Sequence, residues 1–132
     1  MHLRLGTRLT PLLLAVALLA GVACHRPPPA VTIEWRLEPA VPVVDHDATV
    51  TLTVLDAQRQ PVIGATLDIE GHMSHPGMAP VVVRAVDRGA GIYDARLAFT
   101  MGGDWFAIVS GTLRDGQSIR QRAAAFRVRV AE

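Results

Sequence analysis

An all-β, immunoglobulin-like antiparallel β-sandwich of about seven strands is the fold class this sequence predicts, and three observations predict it. Apolar residues recur with a period of two through nearly all of the chain after residue 30. Val, Ile and Thr are concentrated in those alternating stretches, and turns rich in Gly, Pro and Asp separate them at short, regular intervals. No helical pattern competes with them, and short alternating strands punctuated in this way close best as two packed sheets.

The elements follow in chain order. Residues 1–23 read as a secretory signal: Arg4 and Arg8 supply a positive start, an uncharged apolar run covers 12–23, and Ala20, Gly21 and Ala23 provide small residues before the cysteine. The run is about half of the ~20 apolar residues needed to span a bilayer, and no later segment approaches that length. Cys24 is the single cysteine. A lone cysteine in an exported chain makes no internal disulfide, so lipidation at the mature N-terminus accounts for it, with simple cleavage after Ala23 as the alternative. The small residues before Cys24 resemble a bacterial lipobox. By resemblance to the Gram-negative sorting pattern, His25 in the following position, where Asp is absent, favours the outer membrane. Residues 24–30, containing Pro27, Pro28 and Pro29, read as a stiff tether that holds the following domain off the bilayer on its periplasmic side.

Residues 31–132 are long enough for one domain with its own core and too few for two. Strands are expected at 31–38, 48–56, 65–70, 81–87, 92–100, 105–113 and 118–130. In the second of these, Val50, Leu52 and Val54 are expected in the core, with Thr49, Thr51 and Thr53 on the outer face. In the last, Arg127 and Arg129 are expected to face outward. Trp35 and Tyr93 occupy alternating strand positions and are expected to pack in the core. Polar turns are expected at 56–61 and 87–91, and Asp115-Gly116 is a hairpin signal.

Composition excludes several functions. The chain from Cys24 onward carries 11 Arg against 12 Asp plus Glu, so it is nearly neutral, and no charge run or one-sided basic patch points to nucleic acid. Ser110-Gly111 lacks the flanking pattern of a nucleophile elbow, and no Ser, His and acid suggest a triad. The carboxylates are scattered on polar strand faces. The expectation is a protein that is not an enzyme.

The concentrated chemistry lies in Glu70-Gly71-His72-Met73-Ser74-His75-Pro76-Gly77-Met78 and in Met101. The chain has five His and four Met; apart from Met1 and His2, most of them sit at these two points. Thioether and imidazole are the preferred ligands of soft Cu(I), and thioethers bind harder ions poorly. In an extended segment Met73 and His75 share a face while His72 points away. Pro76 and Gly77 can reverse the chain and return Met78 toward Met73. If the strand ending at Met101 lies alongside, Met73, His75, Met78 and Met101 can converge on one ion, with Trp105 stacked over it as a cation-π lid. His72, Met73, His75, Met78 and Met101 are the expected pool of copper ligands, and the same residues also read as gap-filling methionines and solvent-exposed loop histidines. Asp45-His46-Asp47, in a loop before a strand, reads first as a turn and only second as a further metal or acid-base site.

The second half shows a family resemblance. Gly64-Ala65, the His/Met turn, the G-x-Y-x-A run at 91–95 and the F-x-M-G-G-x-W run at 99–105 resemble the YtkA-like domain, which is related to the FixH family. The resemblance covers about 64–111. It implies an exported or membrane-anchored sandwich near copper handling and terminal-oxidase maturation, with a copper protein or an oxidase assembly factor as partner. The alternative is a metal-free interaction module docking on a membrane complex through a loop end or sheet edge.

Overall fold

The computed structural model describes residues 29–132; the signal segment and Cys24 lie outside the described residues. Two four-stranded antiparallel sheets face each other, and no helix occurs among the described residues. One sheet has the order β1-β2-β6-β5, built from Thr32–Glu38, Asp47–Leu55, Ile92–Ala98 and Val86–Gly89. The other has the order β4-β3-β7-β8, built from Val81–Arg84, Thr66–Met73, Gly103–Thr112 and Ser118–Val128. This is an immunoglobulin-type order, with β4 extending the sheet that holds β3, β7 and β8.

Alternation generates the core. Val50, Leu52 and Val54 of β2 are fully buried, as are Leu67 and Ile69 of β3, Tyr93 of β6 and Val109 of β7. The intervening Thr49, Thr51 and Thr53 face outward. An aromatic chain ties the layers together: Trp35 stacks on Phe126 at 6.1 Å, and Phe99 meets Phe126 and Trp105 edge-on at 5.4 and 5.1 Å. Trp35 is only partly buried because β1 and β8 are the open edges that this contact closes. Tyr93 is wholly buried, and its hydroxyl donates to the Val62 carbonyl at 2.8 Å while accepting from the Ala65 amide at 3.1 Å. Burial accordingly pushes the phenol above its usual range.

Gly111 shows how closely the strands pass. A Cβ there would lie 2.0 Å from the Thr66 carbonyl oxygen, a backbone atom that cannot step aside. The turn at 56–61 forms as the sequence indicates, with Asp56 Oδ1 accepting from the Gln58 and Gln60 amides. The segment expected as one strand at 81–87 is two strands in different sheets. The chain crosses at Ala85, which is buried and whose amide still donates to Leu67 of β3 at 2.9 Å. The third strand also continues past 70, through Met73.

Antiparallel pairing determines which loops share an end. Asp47 opposes Ala98 and Met73 opposes Trp105, so the 39–46, 74–80 and 99–102 segments meet at one pole. Thr32 opposes Leu55, so β1 enters from the other pole. With nine residues in β2 and a rise of about 3.4 Å per residue, the poles stand roughly 30 Å apart.

Candidate metal centre

The five expected copper ligands, His72, Met73, His75, Met78 and Met101, separate into three groups. Alternation along β3 sends Leu67, Ile69, Gly71 and Met73 inward and Glu70 and His72 outward. Met73 is 9% exposed and its methyl group packs against Gly103. It fills the space beneath the 99–102 segment as a core thioether.

His72 stands on the outer face of the same sheet. Its Nε2–H donates to Glu70 at 2.9 Å, and its ring stacks on Phe106 at 5.2 Å. Arg122 covers Phe106, with the guanidinium carbon 4.2 Å from the ring centre. Glu70 also accepts from Arg120 at 2.5 and 3.0 Å and from Ser110 Oγ at 2.8 Å. These donors, Arg120 first and His72 second, lower the Glu70 carboxyl from 4.5 to about 2. This cross-strand network joins β3, β7 and β8, and it holds His72 apart from Met73. The alternating pattern was the signal for it, but the expected strand end at 70 concealed it.

The remaining three residues lie on the loops at one pole. His75 and Met78 belong to the 74–80 loop and are exposed, with Met78 at 42%. Met101 follows β6 and is 44% exposed. The Ser74 amide donates to the Asp104 carbonyl at 2.9 Å, which holds the base of the 74–80 loop against the start of β7. Trp105 does not act as a lid. Its indole is 3% exposed inside the sandwich, and Nε1–H donates to the Met101 carbonyl at 3.1 Å. It is a strut beneath the loop, because its inward position in β7 places the ring on the core side.

Among the described residues, no group of three or more His, Cys, Asp or Glu is placed to hold a metal ion. A site at this pole would therefore depend on thioether sulfur. The exposed set of His75, Met78 and Met101 has the donor chemistry for Cu(I), which accepts low coordination numbers. His46, in the 39–46 segment, stands at the same pole. Its Nδ1 lies 2.9 Å from the Val44 carbonyl.

No curated protein matches the chain. Among solved structures, an engineered protein is 19% identical with a TM-score of 0.46, over 79% of this chain and 20% of its own. The alkylpurine DNA glycosylase AlkC of Pseudomonas fluorescens, bound to DNA containing an abasic site analog, is 16% identical with a TM-score of 0.48, over 75% of this chain and 30% of its own. The chain thus spans less than a third of the length of either structure. A family profile described as YtkA-like matches residues 30–110, well over half of the sequence, and the chain belongs to the YtkA-like family.

Proposed function

We propose that this protein is an exported, lipid-anchored β-sandwich domain that binds Cu(I) at its loop pole for periplasmic metal handling or oxidase maturation. The observation that carries the reading is the exposure of Met78 and Met101, at 42% and 44%, on neighbouring loops beside His75. Thioethers that serve only packing belong in the interior, as Met73 does. Two of them turned to solvent beside an imidazole make a soft-metal donor set.

Polarity of the fold supports the same reading. The tether enters β1 at Thr32, at the pole opposite His75, Met78 and Met101. A lipid on Cys24 would thus direct these loops away from the bilayer, toward a copper protein or an oxidase assembly factor. No helix among the described residues is long and apolar enough to cross a membrane.

The test is a Cu(I) competition titration of the full-length protein against a chromophoric chelator under reducing conditions. Submicromolar one-to-one binding that is lost in the Met78→Leu, Met101→Leu double variant supports the reading. Absence of binding overturns it and leaves a metal-free docking module as the function to pursue.

A further inference from the structure

We propose that the hollow where Arg84, Arg88 and Arg96 converge is a binding site for a phosphate group, free or as a monoester. It shares no residue with the copper set and does not depend on that reading.

The strand crossing creates the hollow. β5 pairs with β6 only from Ile92 to Asp94, because the chain enters this sheet only after Ala85. From Ala95 onward β6 keeps β2 on one side and, among the described residues, has no paired strand on the other. A cavity of about 400 Å³ opens here, and its lining includes Thr49, Arg84, Val86, Arg88, Asp94 and Arg96. Thr49 and Arg96 are directly opposed in the β2-β6 pair and both are exposed, so a hydroxyl and a guanidinium stand together on its wall. Arg84 and Arg88 come from the two strands that flank the crossing.

Bonds within the cluster orient the guanidiniums and leave most of their donors unused. Arg88 gives only its Nε–H to Asp94, at 2.8 Å, so both of its Nη groups are uncommitted. Arg84 holds Asp68, which is outside the lining, through Nε and Nη2 and keeps Nη1. Arg96 forms no ion pair among the described residues. The acidic neighbour Asp87 is engaged elsewhere, accepting the Gly64 and Gly89 amides at 2.9 and 2.8 Å. Three guanidiniums thus face one carboxylate in the lining, an excess of positive charge that attracts an anion.

The donor arrangement selects among anions. A planar carboxylate pairs with one or two guanidinium forks, whereas a phosphate presents more oxygens in a tetrahedral array and up to two negative charges. Guanidinium donors arriving from three strands, with a hydroxyl from a fourth, match the second geometry. The Thr49–Arg96 pair lies near the loop pole, two residues from the Asp47–Ala98 pair. β1 enters from the other pole, so a soluble phosphate rather than a headgroup of the anchoring bilayer is the expected ligand.

The experiment follows modification of individual arginines of the full-length protein by phenylglyoxal, read by mass spectrometry. Inorganic phosphate is titrated against sodium chloride at matched ionic strength. Vesicles of phosphatidylcholine, with or without phosphatidic acid, are compared in parallel. The expected result is saturable protection of Arg88 and Arg96 by phosphate, while Arg36, exposed on β1, stays unprotected. In Arg96→Gln the phosphate needed to protect Arg88 is expected to rise roughly tenfold or more, through loss of a charged hydrogen-bonding partner. Absence of protection, equal protection by chloride, equal protection of Arg36, or an unchanged midpoint in Arg96→Gln overturns the site. Protection by phosphatidic acid vesicles with no phosphate added keeps the site and assigns its ligand to a lipid headgroup. If Arg96→Gln fails to fold, the contrast between Arg96 and Arg36 in the wild type decides the question.

Discussion

Trp105 donates its indole N–H to the carbonyl of Met101 at 3.1 Å, across the Gly102-Gly103 turn. This bond ties the exposed Met101 loop to a ring that is itself held edge-on against Phe99 at 5.1 Å. Replacing Trp105 by Phe preserves an aromatic ring but removes the donor and part of the packed volume. The expected cost is about 1–3 kcal/mol, combining a lost hydrogen bond with incomplete filling of the site. Urea unfolding measures that loss, and amide exchange is expected to show faster opening at 100–103 than elsewhere. Uniform exchange in the variant would mean that the indole bond does not hold the loop.

Tyr93 secures the 62–65 segment from inside the core. Tyr93→Phe leaves the Val62 carbonyl and the Ala65 amide without their partner in a buried place. The expected destabilisation is about 1–3 kcal/mol, because both groups lose a bond that water cannot easily replace. Denaturant unfolding with an unchanged m-value tests it. A neutral substitution would indicate that water reaches this corner of the sandwich.

Much of the sandwich was legible in the sequence, and the failures have physical reasons. Thr49-Val50-Thr51-Leu52-Thr53-Val54 alternates strictly, so one face of β2 had to be buried, and it is. The 81–87 segment alternates just as smoothly, yet it divides between sheets at Ala85. Period-two patterning reports which side of a strand is buried, not which sheet the strand joins. The strand expected to end at 70 continues through Gly71 to Met73, and that early end left Met73 outside the strand. Met73, a core residue, follows Leu67, Ile69 and Gly71 on the inward face. The bond from the Asp45 amide to the Phe99 carbonyl, which joins the 39–46 and 99–102 segments, depends on β2 pairing with β6, a long-range contact that local spacing does not encode.

Glu70 gives the protein a specific acid sensitivity. Its carboxyl lies near 2 in the folded state against 4.5 ordinarily, so folding favours the ionised form. The resulting stability is present above pH 4.5 and is lost as the pH falls toward 2. Arg120 is more than half exposed, and solvent screening reduces the effect to about 1–2 kcal/mol. Glu70→Gln removes the titrating group, and its stability is expected to fall less than that of the wild type between pH 5 and pH 2.5. Parallel pH profiles in urea unfolding would show that the Arg120, His72 and Ser110 contacts do not favour the charged form.

The methionines provide a direct separation of packing from ligation. Met73 is 9% exposed and contacts Gly103, so Met73→Leu preserves volume and exchanges one apolar side chain for another. Its cost is expected to stay below about 1.5 kcal/mol. Because the Met73 sulfur lies on the core side of β3, the Cu(I) affinity of that variant is expected to match the wild type. Met78→Leu and Met101→Leu change residues that are 42% and 44% exposed. They are expected to leave stability within about 0.5 kcal/mol while weakening Cu(I) binding severely, since leucine offers no sulfur to a soft ion. Unfolding and Cu(I) titration of the three single variants separate the two roles. Loss of affinity in Met73→Leu alone would place the ion inside the sandwich, whereas loss confined to Met78→Leu and Met101→Leu places it on the loop pole.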